Sequence, residues 1–238
     1  MKRIHFEVEE SAVTIVADDV YHRVAKDAIF EARDILHGKI AEDPFFATTF
    51  YPYKEDLADD PLIRHMCRCS LLADVGPMAC VAGAVANHAV TRMVEEGAAF
   101  AIVENGGDIA LMIDRPVTVG LFTGDDRLKD IAMQVQPRDG IFGICSSSGK
   151  IGPSVSFGMS DICTVISSDV LLADGCATAF GNLVKNGDDI ASASERICSI
   201  PGVEGCIASV DGKVCLQGDV PELVRRRVDA ENASRILL

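Results

Sequence analysis

Residues 143–182 read GICSSSGKIGPSVSFGMSDICTVISSDVLLADGCATAFGN, and the reading of this stretch decides the fold class and the place to look for a site. The β-branched run Ile162–Ser167 (ICTVIS) fits a buried strand. From Val170 onward the pattern is helical, with Asp169 placed as the cap that accepts orphan backbone N–H groups. On that helix Asp174 and Thr178 are four apart, so a carboxylate and a hydroxyl share one face. Oxygen pairs of this kind suit magnesium, which takes oxygen ligands and keeps waters or substrate phosphates in its remaining places. An Asp and a Thr near a helix start also serve as caps or local hydrogen-bond partners. The weight comes from their neighbours: Ala173, Gly175, Ala177, Ala179 and Gly181 leave the face nearly bare, so that another backbone or a ligand can come close.

Upstream, GICSSSGK invites comparison with a phosphate-binding P-loop. Five residues separate Gly143 from Gly149 instead of four, and Ile151 stands where Ser or Thr must hold magnesium, so that reading fails. A serine turn remains, in which N–H groups and hydroxyls of Ser146, Ser147, Ser148 and Gly149 could form an anion-binding nest with Lys150 adding charge. An ordinary serine-rich turn accounts for the same residues. Cys145 or Ser147 as a nucleophile needs a base, and of the five histidines only His88 could reach, though a satisfied core histidine accounts better for it.

Working outward, residues 4–16 (IHFEVEESAVTIV) alternate around a polar break and predict a hairpin. From Asp18 or Asp19 to His37 the apolar positions Val24, Ala25, Ala28, Ile29, Ala32 and Ile35 predict a helix that Gly38 should end. Residues 44–53 (PFFATTFYPY) form an aromatic loop that could cover a core seam, line a ligand mouth or meet a second subunit, as in a homodimer. Residues 61–75 and 78–96 predict two helices joined at Gly76-Pro77. Asn105-Gly106-Gly107-Asp108 between two good strands predicts a hairpin turn; residues 117–122 should continue the sheet, and residues 125–138 read as a polar connection.

Laying VAGAVAN (residues 81–87) over CATAFGN (residues 176–182) puts an apolar strand, a glycine turn and another strand after each. This suggests an internal duplication in two repeats, about residues 1–123 and 124–238, with a pseudo-twofold axis. The same register sets Ala79 opposite Asp174. Each half would lay helices on an antiparallel sheet built from hairpins.

Three short segments resemble the ApbE-like flavin transferases, and more specifically a cytoplasmic branch of that family. LLADGCATAFGN (residues 171–182) is similar to the family's A-D-x-x-A-T-A segment, ENGGDIAL (residues 104–111) to its N-x-G-G-D turn, and residues 144–149 to its A-T-S-G turn. The resemblance implies that Asp174 and Thr178 ligate magnesium with a backbone carbonyl near Ala79, and that Asn105, Gly107 and Asp108 line a flavin-side cleft. There are departures. The family's G-G-x-A-K-G segment reads GPMACV at residues 76–81, without the lysine, and residues 150–161 hold no histidine where the family carries H-x-x-D-P-x-T-G.

At 238 residues and 48% hydrophobic the chain can bury about 70–75% of its unfolded surface. A net charge of −14 argues against nucleic acid and anionic lipid, which require clustered Lys and Arg; the run Arg225-Arg226-Arg227 sits among acidic residues and reads as a solvated helix face. No signal-peptide core follows the start, and no window approaches ~18 uninterrupted apolar residues, so the expected location is the cytoplasm and no membrane partner is expected. Most of the nine cysteines lie within or against apolar runs, as small buried hydrophobes in a reducing compartment. Cys67 and Cys69 with His65 lack a second cluster at zinc-finger spacing, which argues against zinc or iron–sulfur.

The expectation is an α+β, internally duplicated fold of the ApbE-like, T-fold type. Its function is either a magnesium-dependent enzyme acting on or transferring a phosphate-bearing cofactor such as a flavin nucleotide (FAD or FMN), with a protein target among its partners, or a non-catalytic flavin- or nucleotide-binding or assembly protein that has lost that chemistry.

Overall fold

The computed structural model describes residues 1–8, 11–122, 129–149, 158–226 and 236–237. An opening hairpin, β1 (Lys2–Val8) and β2 (Ser11–Ala17), leads into α1 (His22–Glu42), the short α2 (Phe45–Thr48), α3 (Pro61–Ala73) and α4 (Val81–Glu95). Strands β3 (Ala101–Asn105), β4 (Asp108–Met112), β5 (Val117–Gly120), β6 (Ile131–Val135), β7 (Phe142–Ser147) and β8 (Ile162–Ser167) follow. The chain then forms α5 (Val170–Leu183), α6 (Ile190–Cys198), β9 (Val203–Val210), β10 (Lys213–Gly218), β11 (Glu222–Arg225) and β12 (Ile236–Leu237).

Among the described residues, eight strands form one sheet in the order β1-β2-β3-β4-β7-β8-β9-β10, and four form a second in the order β11-β6-β5-β12. Every pairing is antiparallel. The large sheet is the middle of three layers, and the period-2 alternation of its strands shows why. In β8, Cys163 and Val165 join the core under the helices, while Ile162 and Ile166 join the core between the two sheets. A strand covered on both faces is mostly apolar on both, and the two polar residues of ICTVIS are buried with partners, Thr164 on the Ser146 hydroxyl and Ser167 on the Gly202 carbonyl.

The α+β class holds, with helices on antiparallel strands. The large sheet runs hairpin, helices, hairpin twice over, and β4 pairs with β7 across the midpoint of the chain. The register that lays residues 81–87 over 176–182 differs from this element order: α4 leads directly into a hairpin, whereas α5 follows one and α6 stands before β9.

Several boundaries move. Gly38 does not end α1, which continues to Glu42 because Ile40 still packs on the core and Lys39 pairs with Asp59 at 2.7 Å. Residues 117–122 do not extend the large sheet: β5 turns into the second one and pairs with β6, which lies inside the segment expected to be a polar connection. Arg225 ends a strand rather than lying on a helix, and Arg227 is outside the described residues. In the aromatic loop Phe46 is fully buried, whereas Phe45, Phe50 and Tyr51 are exposed.

Candidate functional site

Helix α4 starts just past a 3-10 turn, Pro77–Cys80, and its cap residue Cys80 supplies no side-chain acceptor for the first N–H groups. The acceptor comes from another helix. Asp174, in the second turn of α5, takes the Gly83 N–H on Oδ2 at 2.7 Å, and the Ala82 N–H favours the same carboxylate. This approach requires glycine: a Cβ on Gly83 would lie 2.9 Å from Asp174 Cβ and 3.0 Å from the Val170 carbonyl oxygen. Gly143 does the same on the strand side, where a Cβ would meet Val170 Cα at 2.7 Å. Two glycines from different elements thus let α5 settle against both α4 and β7.

The hairpin β3–β4 delivers the second carboxylate. Its two-residue turn places Gly106 at φ 64° and Gly107 at φ 110°, a region that side chains other than glycine avoid. Asn105 and Asp108 pair across it and share the helix-facing side with Val103 and Ala110 by alternation. Asn105 Nδ2 donates to the Ala82 carbonyl at 3.3 Å, tying the hairpin to the start of α4. Asp108 Oδ1 accepts the Ser146 N–H at 3.2 Å. Asp108 and Asp174 are both buried. Burial pushes the Asp174 carboxyl well above its ordinary range and the Asp108 charge pushes it further, while the Gly83 and Ala82 N–H groups oppose. The buried Cys145 thiol donates to the Val170 carbonyl at 3.6 Å. Burial, then the two aspartates, hold that thiol far above its usual pKa.

Asp174 therefore meets the positive end of a 15-residue helix with the charge of a second buried acid, Asp108, acting on it, an environment that favours a proton or a cation. Thr178 is one turn beyond Asp174 and half-buried. Ala79 lies in the 3-10 turn, which packs on α5 so closely that a Cβ on the neighbouring Gly175 would sit 2.8 Å from Cys80 Sγ.

The serine segment departs from expectation. Ser146 and Ser147 lie in strand β7, so only Ser148 and Gly149 leave the sheet. The nest does not form as expected: the Ser146 N–H goes to Asp108 and the Gly149 N–H to the Ser160 carbonyl at 3.0 Å. The Ser146 hydroxyl pairs with Thr164 at 2.8 Å, on the sheet face away from the helices. Ser147 is buried on the same face as Cys145, and Ser148 is half-buried. Lys150 lies outside the described residues. His88 bonds Glu31 on α1 at 3.2 Å and offers Cys145 or Ser147 no base. The residues that sequence reasoning missed are Gly83 and Ala82, whose only signal was the small-residue start of α4.

Among known proteins, a family described as AbpE bacteria matches residues 1–200. A UPF0280 protein of Methanocella arvoryzae is 43% identical, covering 98% of this chain and 96% of its own length. Another, from Methanothrix thermoacetophila, is 44% identical, covering 96% and 97%. The solved structure of the flavin transferase ApbE from Vibrio cholerae superposes with TM-score 0.56 at 10% identity, covering 92% of this chain and 97% of that one. The apo flavinyl transferase ApbE of Pseudomonas stutzeri does so with TM-score 0.58 at 13% identity, covering 93% and 94%. At those identities the structural likeness speaks for the fold alone.

Proposed function

The chain belongs to the ApbE-like family, together with the UPF0280 proteins, and from that membership we propose that it is a magnesium-dependent enzyme acting on a phosphate-bearing cofactor, a flavin nucleotide such as FAD or FMN in the first instance. The observation that carries this reading is the buried Asp174 carboxylate, aimed at the start of α4 beside Asp108. Among the described residues, the groups that act on it are a second acid and two backbone N–H donors. Such a donor set fits a hard divalent cation, since carboxylate oxygen is what magnesium selects. Asp174 would hold it, with the Thr178 hydroxyl and the Ala79 carbonyl as further oxygen ligands. When bound, the ion would offset charge developing on a phosphoryl oxygen.

The chain's own residues do the positioning. Asn105 fixes the hairpin to α4, Asp108 is oriented by the Ser146 N–H, and the glycines of the turn let the backbone come near a ligand. In this reading the protein works in the cytoplasm on a small phosphate-bearing molecule, with a protein as acceptor where a group is transferred. No single helix among the described residues is long and apolar enough to cross a membrane.

A second reading, a cofactor-binding or assembly protein without turnover, is favoured by the absence of lysine at residues 76–81 and of histidine at residues 150–161. One experiment separates them. The purified chain is melted with Mg²⁺, with FAD or FMN, and with both, and consumption of the nucleotide is followed in parallel, for the wild type and for Asp174→Asn. A Mg²⁺-dependent rise in melting temperature with flavin, lost in the variant, together with consumption, supports the enzyme; the same rise without consumption supports the binding protein. A melting temperature that responds to neither Mg²⁺ nor flavin refutes both.

A further inference from the structure

A second cluster of metal-ligating side chains lies on the other side of α5. His65 and Cys69 are four apart on α3 and stand on one face of it. That face meets Asp169, the N-cap of α5. His65 Nε2 is 2.7 Å from Asp169 Oδ2, and Cys69 Sγ is 3.5 Å from the same oxygen. The three ligand atoms all lie within 4.8 Å of one another. The other carboxylate oxygen is engaged elsewhere: Oδ1 accepts the Leu171 and Leu172 N–H groups at 3.1 and 3.3 Å. The first turn of α5 therefore aims Oδ2 at α3.

Capping and a hydrogen bond account for Asp169 and His65. They do not account for a buried thiol set against the same oxygen. We propose that His65 Nε2, Cys69 Sγ and Asp169 Oδ2 form a three-ligand site for a borderline transition-metal dication such as Zn²⁺, separate from the magnesium site proposed at Asp174. Nitrogen, sulfur and oxygen together select zinc or cobalt and disfavour magnesium. In a tetrahedron with Zn–S of ~2.3 Å and Zn–O of ~2.0 Å the S···O edge is ~3.5 Å, the separation already present. The N···O edge would be ~3.3 Å, so the His65–Asp169 hydrogen bond must open by roughly 0.6 Å. His65 can make that swing, because its side chain is 33% exposed and that of Asp169 is 35% exposed. The same exposure gives an entry path and leaves a fourth position for water.

On binding, the Cys69 S–H bond breaks as the S–metal bond forms and that proton leaves to solvent; the neutral His65 ring gives up the Nε2 hydrogen it donates to Asp169 and takes one from solvent on Nδ1, so that the Nε2 lone pair ligates with no net proton change at the ring. The two sites are distinct by helix geometry. Asp169 and Asp174 are five residues apart, ~7.5 Å along the axis and ~140° around it, so one faces α3 and the other α4. The pattern around His65 and Cys69 was disqualified in the sequence for want of a second cluster, and the structure supplies the third ligand from a helix start 100 residues downstream.

The test is an anaerobic Co²⁺ titration of the full chain, followed by absorbance and by proton release. The expected result is a thiolate-to-cobalt band in the near ultraviolet that saturates at one equivalent, with about one proton released as it grows. Zn²⁺ should displace the cobalt. Cys69→Ser should abolish the band, His65→Gln should weaken binding about tenfold or more, and Asp174→Asn should leave it unchanged. Far-UV circular dichroism checks that each variant is folded; if Cys69→Ser is not, the half-exposed His65→Gln decides. No band in the wild type overturns the proposal, as does a band that survives in the folded variants, which would place the metal on other cysteines.

Discussion

Replacing Gly83 by alanine tests the contact on which the candidate site is built. A Cβ there would lie 2.9 Å from Asp174 Cβ, 3.0 Å from the Val170 carbonyl oxygen and 3.1 Å from Asp174 Oδ2, against about 3.5–4.0 Å for a normal carbon contact. Two of the three obstacles are backbone or the root of a side chain, so α5 itself must shift. Overpacking of this kind costs about 1–3 kcal/mol. Alanine recovers about 0.5–1 kcal/mol of that by its better helix propensity. The net loss is about 0–2.5 kcal/mol, or a fall in melting temperature of up to roughly 10 °C for a chain of this size. The internal control is Gly38→Ala in α1, which is also helical and has nothing within 4 Å of its would-be Cβ; it should gain about 0.5–1 kcal/mol. Urea unfolding followed by circular dichroism gives both values. If Gly83→Ala is as stabilising as Gly38→Ala, α4 and α5 do not meet as described, and the placement of Asp174 at the start of α4 falls with it.

The pH dependence of stability provides a second check. Burial first, and then the Asp108 charge, hold the Asp174 carboxyl above its ordinary 3.8. The native state therefore keeps a proton that the unfolded chain has released, and stability should fall as pH rises from 3.8 through the raised native value. Asp174→Asn should flatten this slope, and Mg²⁺ should stabilise the wild type more as pH rises; melting curves across pH that show no slope attributable to Asp174 would contradict its burial. Asp169 should behave in the opposite sense. Burial raises its pKa, but the His65 bond and the helix N–H groups outweigh that and leave it below its ordinary value, so its contribution is present above the usual carboxylate range and is lost as pH falls through the native value. Asp169→Ala should remove this acid limb and cost about 1–2 kcal/mol through the lost cap, read from urea midpoints at neutral and acid pH.

Local chemistry made much of the chain legible. Asp169 caps α5 where a short acid precedes an apolar helix, the β3–β4 turn falls at the two glycines that tolerate positive φ, and β8 is buried on both faces because its Ile, Cys and Val side chains fall on both. The errors have a common cause. Gly38 seemed a terminator because propensity weighs a lone glycine heavily, yet the packing of Ile40 carries α1 past it. The serine run passed for a turn because composition does not show that Ser146 and Ser147 are paired with Thr164 and Cys163 in a ladder.

What the sequence settled by itself was periodicity, caps, turns and the family motifs, all of which depend on residues within a few positions of one another. What the tertiary structure decided was which oxygen meets which hydrogen across 91 residues, from Gly83 to Asp174, and which thiol meets which carboxylate across 100, from Cys69 to Asp169. The physical reason is that a carboxylate's partner and a buried group's pKa depend on distance in space and on access to water, and both are fixed only when α3, α4 and α5 are packed together on the sheet.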